Sequence, residues 1–144
     1  MDSIGDDSSL FNDCLEVNME EINLPKVKAN FDGGKCIFYR VGKSGLKIWI
    51  SYGLAMEQCV NQTRASKYSC GPKVLSEIVK TKCGWYGFYT ELAILHKPHS
   101  YKDLVNLKRR FKRAFGINYP DLHDGNIGHV NGKLMFIDFD RLKG

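Results

Sequence analysis

The chain has 144 residues, 43% of them hydrophobic and 26% charged. That fits one domain, or one small domain with an appendage, and excludes disorder over the whole length. No apolar run approaches the roughly 18 residues of a membrane span, and the acidic start, Met1 to Asp7, is neither a secretory signal nor an Arg-rich transit peptide.

The formal net charge is +5, unevenly placed. Asp2, Asp6, Asp7, Asp13, Glu16, Glu20 and Glu21 all precede the first basic residue, Lys26. Residues 24–144 hold 21 basic against the remaining 9 acidic groups, a balance of +12. Such a body attracts anions: nucleotides, nucleic acid or acidic protein surfaces. Five cysteines (Cys14, Cys36, Cys59, Cys70 and Cys83) are odd in number and widely spaced, without a C-x-x-C pair. Reduced cytosolic thiols are the expectation. Zinc held by Cys70, Cys83, His96 and His99 is the weaker idea, because no tight ligand pair accompanies His96-Lys97-Pro98-His99.

In the acidic stretch, Phe11, Leu15, Met19 and Ile22 recur at helical spacing after Ser8 and Ser9. The pattern predicts a helix near 9–21 that packs on the body or docks a partner. Pro25 closes it, and 26–31 reads as a strand. Asp32-Gly33-Gly34 is a turn signal, Cys36 to Val41 a second strand, and Leu46 to Ile50 a third beyond a turn at 42–45. Residues 54–69 change to helical period, with Ala55, Cys59, Val60, Thr63 and Ser66 on one side, ending before Gly71-Pro72. Val74 to Val79 and Trp85 to Thr90 read as two more strands. A helix over 101–115 carries the apolar stripe Leu104, Leu107, Phe111 and Phe115, with Lys108, Arg109, Arg110, Lys112 and Arg113 on its other faces and Gly116 as its cap. Asn126 to Val130 and Leu134 to Ile137 then form a hairpin around Asn131-Gly132, a type I′ signal. The order predicts an α+β fold with mostly antiparallel pairing.

The segment richest in chemistry is Asp121-Leu122-His123-Asp124-Gly125-Asn126, followed by Ile137-Asp138-Phe139-Asp140. Phosphoryl transfer asks a protein for hard oxygen ligands to Mg²⁺ and a carboxylate that receives the proton of an attacking hydroxyl. An Asp and an Asn on one tight loop suit that task. A second Asp delivered by an adjoining strand would complete a metal site.

The order D-x-x-x-x-N, hairpin, Asp-Phe resembles the protein-kinase-like superfamily, closest in its D-L-H-x-G-N and I-D-F-D forms to aminoglycoside-phosphotransferase-type enzymes and compact bacterial or viral kinases. The resemblance covers residues 26–140. It implies a minimal kinase-like fold: an acidic appendage at 1–24, a five-stranded antiparallel N-lobe with one helix at 25–95, and a C-lobe at 96–144 truncated after the Asp-Phe motif. It implies ATP and Mg²⁺ as cofactors, Asp121 as catalytic base, and Asn126 and Asp138 as metal ligands. Lys47 would bind the α- and β-phosphates and pair with Glu57. Gly33 and Gly34 would form the phosphate loop, Gly45 would be the small residue over the adenine, and backbone groups of Glu91 to Ala93 would contact the base. The departures are Tyr119-Pro120 before the catalytic Asp, Asp140 in place of the Gly of D-F-G, and two adjacent glycines in place of G-x-G-x-x-G. The chain ends six residues after Asp138, so neither an activation segment nor later C-lobe helices are expected.

The expected function is ATP-dependent phosphotransfer, with a protein as acceptor. The alternatives are a catalytically weak module gripping a partner with an acidic surface, and, as the lesser reading, a nucleic-acid binder. Cytoplasmic placement is expected, in a host cell if the source is viral or an effector, with no membrane association. Read without the resemblance, Lys47 is a solvated strand lysine, Glu57 a surface glutamate, and the basic helix a solvated face. His123 is expected to shape its loop by hydrogen bonding.

Overall fold

A computed structural model describes residues 36–81, 84–120 and 122–139. The expected acidic helix, the strand at 26–31, Gly33, Gly34, Cys14, Cys83, Asp121 and Asp140 lie outside them. The described residues are α+β, with two α-helices and antiparallel sheet pairing. The chain divides into two compact units, Met1–Cys59 with Leu75–Thr90, and Val60–Val74 with Glu91–Gly144.

The first unit is built on a four-stranded sheet. Its strands are β1 (Ile37–Val41), β2 (Ser44–Trp49), β3 (Val79–Lys80) and β4 (Tyr86–Glu91), ordered β1-β2-β4-β3. β1 and β2 pair antiparallel from Ile37↔Ile48 to Val41↔Ser44. Gly42 at φ 62° starts their two-residue loop, a position that glycine fills without steric cost. Alternation does the rest. Leu46 and Ile48 join Ile37, Tyr39 and Val79 in one apolar cluster, each large aliphatic contributing about 1.5–3 kcal/mol by burial. The opposite face carries Gly45, Lys47 and Trp49, and Trp49 stacks on Phe88 of β4 at 5.5 Å. A Cβ on Gly87 would lie 1.9 Å from the Lys47 carbonyl oxygen, so only glycine lets β4 approach β2 this closely.

The strand expected at 74–79 is cut to two residues. Leu75 N–H donates to the Tyr89 carbonyl, but Tyr89 N–H donates to the Ser76 hydroxyl at 2.9 Å. A side chain thus replaces the backbone acceptor, and the ladder lapses until Val79.

Helix α1 (Tyr52–Lys67) starts two residues earlier than expected, because the Ser51 hydroxyl accepts from Leu54 N–H as its cap. The stripe it buries is Ala55, Gln58, Gln62 and Ala65; Val60 and Thr63 are exposed. The reading that put Cys59, Val60, Thr63 and Ser66 on the inner side was therefore rotated. Two glutamines on the buried face hid the true stripe, and Gln62 Nε2 meets its requirement by donating to the Pro72 carbonyl at 3.0 Å.

The second unit sets α2 (Tyr101–Phe115) against a three-stranded sheet of β5 (Ile94–Leu95), β6 (Ile127–Val130) and β7 (Lys133–Phe136), ordered β5-β6-β7. The Ser100 side chain accepts from Asp103 N–H, and Gly116 closes α2 at φ 76° with its N–H on the Lys112 carbonyl. Asn131 at φ 54° and Gly132 at φ 82° make the expected I′ turn. The core joins Leu107, Phe111 and Ala114 of α2 to Leu134, Phe136, Phe139, Ala65 and Cys70. Arg110, placed by sequence among the solvated cations, instead donates to the Ser69 and Leu134 carbonyls, tying α2 to the end of α1 and to the hairpin. Among the described residues no helix is long and apolar enough to cross a membrane.

Burial pushes the Cys70 thiol up from 9.0 to about 11, with Arg110 pulling weakly the other way. The folded chain therefore favours the protonated thiol. Its contribution to stability is complete below pH 9 and is lost as pH rises through about 11. At pH 8, native-state alkylation is expected to modify exposed Cys36 and spare Cys70. Mass mapping showing Cys70 modified as fast as Cys36 would contradict this packing.

Candidate functional site

Of the polar residues singled out near the C-terminal end of the sequence, His123, Asn126 and Asp138 lie in the second unit. Asp124–Asn126 forms a single 3-10 turn directly before β6. His123 caps it: its Nδ1 accepts from Gly125 N–H at 3.0 Å, and its carbonyl accepts from Asn126 N–H at 2.9 Å. Its Nε2 lies 3.0 Å from the Asn126 side-chain amide. The atom facing Nε2 is Asn126 Nδ2, and the direction of that contact follows the imidazole tautomer. His123 thus shapes the loop, as expected, and orients Asn126, which is 6% exposed.

Asp138 is held through its backbone. Ile137 N–H donates to the Asn126 carbonyl at 2.9 Å. The Tyr119 hydroxyl donates to the Asp138 carbonyl. Asn61 Nδ2 donates to the Phe139 carbonyl at 3.1 Å. Three consecutive residues are pinned from three places: the 3-10 turn, the segment before Asp121, and α1. Phe139 is itself wholly buried, and the Tyr119 ring stacks on Phe136 at 3.8 Å and 2°. Asp138, half-buried at the surface of this core, has little backbone freedom. Tyr119 and Asn61 escaped the sequence reading. The only hint was Tyr119 standing two residues before Asp121.

Asn126 and Asp138 offer an amide oxygen and a carboxylate, hard donors of the kind Mg²⁺ takes. Among the described residues, no three His, Cys, Asp or Glu side chains are gathered to hold a metal ion. Asp121, the third member of the expected set, lies outside those residues.

In the first unit, Lys47 is 8% exposed and sits on β2 opposite Phe38 of β1, so it is not a solvated strand lysine. A lysine so enclosed must have its ammonium group satisfied, which makes the position chemically expensive. A Cβ on Gly45 would meet the Phe38 ring at 2.5 Å, so the space above Gly45 is filled by that half-exposed ring. Glu57 is exposed on α1. At the end of β4, Glu91 is already engaged: its N–H donates to the Lys73 carbonyl at 3.1 Å, and its carboxylate accepts from Lys73 N–H at 2.8 Å. Ala93 is half-buried and precedes β5.

Comparison with protein-family models, with curated proteins and with solved structures returned no match.

Proposed function

We propose that the chain is a minimal protein-kinase-like phosphotransferase using ATP and Mg²⁺, with a protein hydroxyl as acceptor. The observation that supports this most is the triple pinning of Ile137, Asp138 and Phe139 beside an Asn126 whose amide is oriented by His123. These contacts fix the backbone that carries the Asp138 carboxylate, which is the support a metal ligand takes from its surroundings. Asn126 and Asp138 would hold the ion, which when bound would neutralise charge on the phosphate oxygens. Asp121 would accept the proton of the acceptor hydroxyl. In the first unit, Lys47 would bind the α- and β-phosphates with Glu57 as its partner, and Gly33 and Gly34 would supply the phosphate loop. Backbone groups of Glu91 to Ala93 would contact the base, with the Glu91 N–H already donating to the Lys73 carbonyl.

A transfer assay with labelled ATP, comparing the intact protein with Asp121→Ala, tests the reading. Labelling should fall by about 10²–10⁴-fold, the usual contribution of a positioned base. Equal labelling by both proteins would end the assignment of Asp121.

A second reading has its own support. Lys108, Arg109, Lys112 and Arg113 line a shallow groove along α2 with Tyr101, which is 80% exposed. Four cations beside an accessible aromatic ring suit an acidic protein surface. A partner retained by Asp138→Ala but lost on charge reversal of Lys108 and Lys112 would favour a binding module over an enzyme.

A further inference from the structure

We infer that a cavity in the second unit, distinct from the 3-10 turn and Asp138, binds a small organic carboxylate. The cavity has a volume of about 330 Å³, within the roughly 300–1,000 Å³ of small-molecule sites. His129 of β6 lines it, together with His96, Lys97 and His99 from the loop after β5 and the apolar side chains of Ile127 and Leu134. His129 is 7% exposed, and its Nδ1 has no hydrogen-bond partner among the described residues. A buried ring nitrogen left unpaired lowers stability, and a bound partner restores it. Strand β6 is otherwise apolar, Ile-Gly-His-Val, so packing alone gives no reason for an imidazole there.

The lining selects the ligand. Among the described residues it contains three imidazoles and an ammonium group but no Asp or Glu, which favours an anion. A metal ion is disfavoured, because these three imidazoles do not converge into a set that could hold one. Inorganic phosphate has nothing to set against the apolar wall of Ile127 and Leu134, which an organic body covers. A carboxylate on an apolar body matches what is present. One oxygen accepts from a ring N–H of His129, exposed Lys97 supplies the countercharge, and the body lies against Ile127 and Leu134. His96 holds the left-handed region at φ 59°, so the loop that brings these groups together is conformationally committed. None of this depends on the phosphotransferase reading.

The test is a titration of the intact chain with sodium benzoate, followed by imidazole ¹H–¹⁵N spectra and by thermal unfolding. The His129 ring signals should shift saturably with a Kd of about 1 mM or tighter, and the unfolding temperature should rise with benzoate concentration. Lys97→Gln should weaken binding about tenfold, the effect of losing one charge-assisted contact. Lys97 is exposed, so this variant leaves the fold intact even where His129→Phe disturbs it. The proposal is overturned if His129 does not respond to benzoate, if Lys97→Gln binds benzoate as well as the parent, or if zinc chloride or inorganic phosphate shifts His129 while benzoate does not.

Discussion

Truncating Phe139 to alanine is expected to destabilise the second unit by about 3–5 kcal/mol, near the top of the range for a single core substitution. The ring is wholly buried among Ala65, Cys70, Phe111 and Phe136. A Cβ on Gly71 would lie 2.7 Å from it, so the wall there is backbone and cannot move in to fill a cavity. The loss should appear as a lower urea midpoint with an unchanged slope. Phe139→Leu, which keeps most of the volume, should lose clearly less. An alanine variant as stable as the parent would mean that Phe139 does not pack as described.

Replacing Asp138 by asparagine should leave the fold standing but remove the effect of Mg²⁺ on nucleotide binding. The substitution keeps shape and backbone contacts, since those at 137–139 run through main-chain atoms. It removes the charge that a divalent ion would need. In the parent, ATP at a hundred times its Kd should stabilise the folded chain by about 2.7 kcal/mol with Mg²⁺ present, and by less without it. In Asp138→Asn the responses with and without Mg²⁺ should coincide. Thermal unfolding without ligand separates this from simple damage, because the two proteins should then melt together. A Mg²⁺-dependent response that survives the substitution would remove Asp138 from the metal site.

What could be read from the sequence was the local part of the fold. The Asn131-Gly132 turn and the Gly116 end of α2 are set by residue chemistry within a few positions, and they form where expected. The buried stripe of α1 was not legible. Gln58 and Gln62 look solvent-facing by residue type, and the carbonyl that lets Gln62 be buried comes from Pro72, ten residues away. The early end of the 74–79 strand depends on one hydroxyl meeting a distant N–H. β5 is two residues long, too short for any periodicity, and exists because β6 lies beside it. The candidate site divides the same way. The spacing of Asn126 and Asp138 could be read from the sequence, whereas the burial of Lys47 on β2 could not. The parts played by Tyr119 and Asn61 come from contacts 19 and 78 residues apart, which no local pattern announces.

Manganese bound with ATP offers the most direct examination of the metal assignment, because a paramagnetic ion broadens nuclear signals within a short radius. Titrating the ¹⁵N-labelled chain with substoichiometric Mn²⁺ and ATP should first erase the side-chain amide signals of Asn126 and the backbone signal of Asp138, with His123 close behind and His129 kept. If those signals persist while others vanish, or if nothing is broadened at all, Asn126 and Asp138 do not hold a divalent ion.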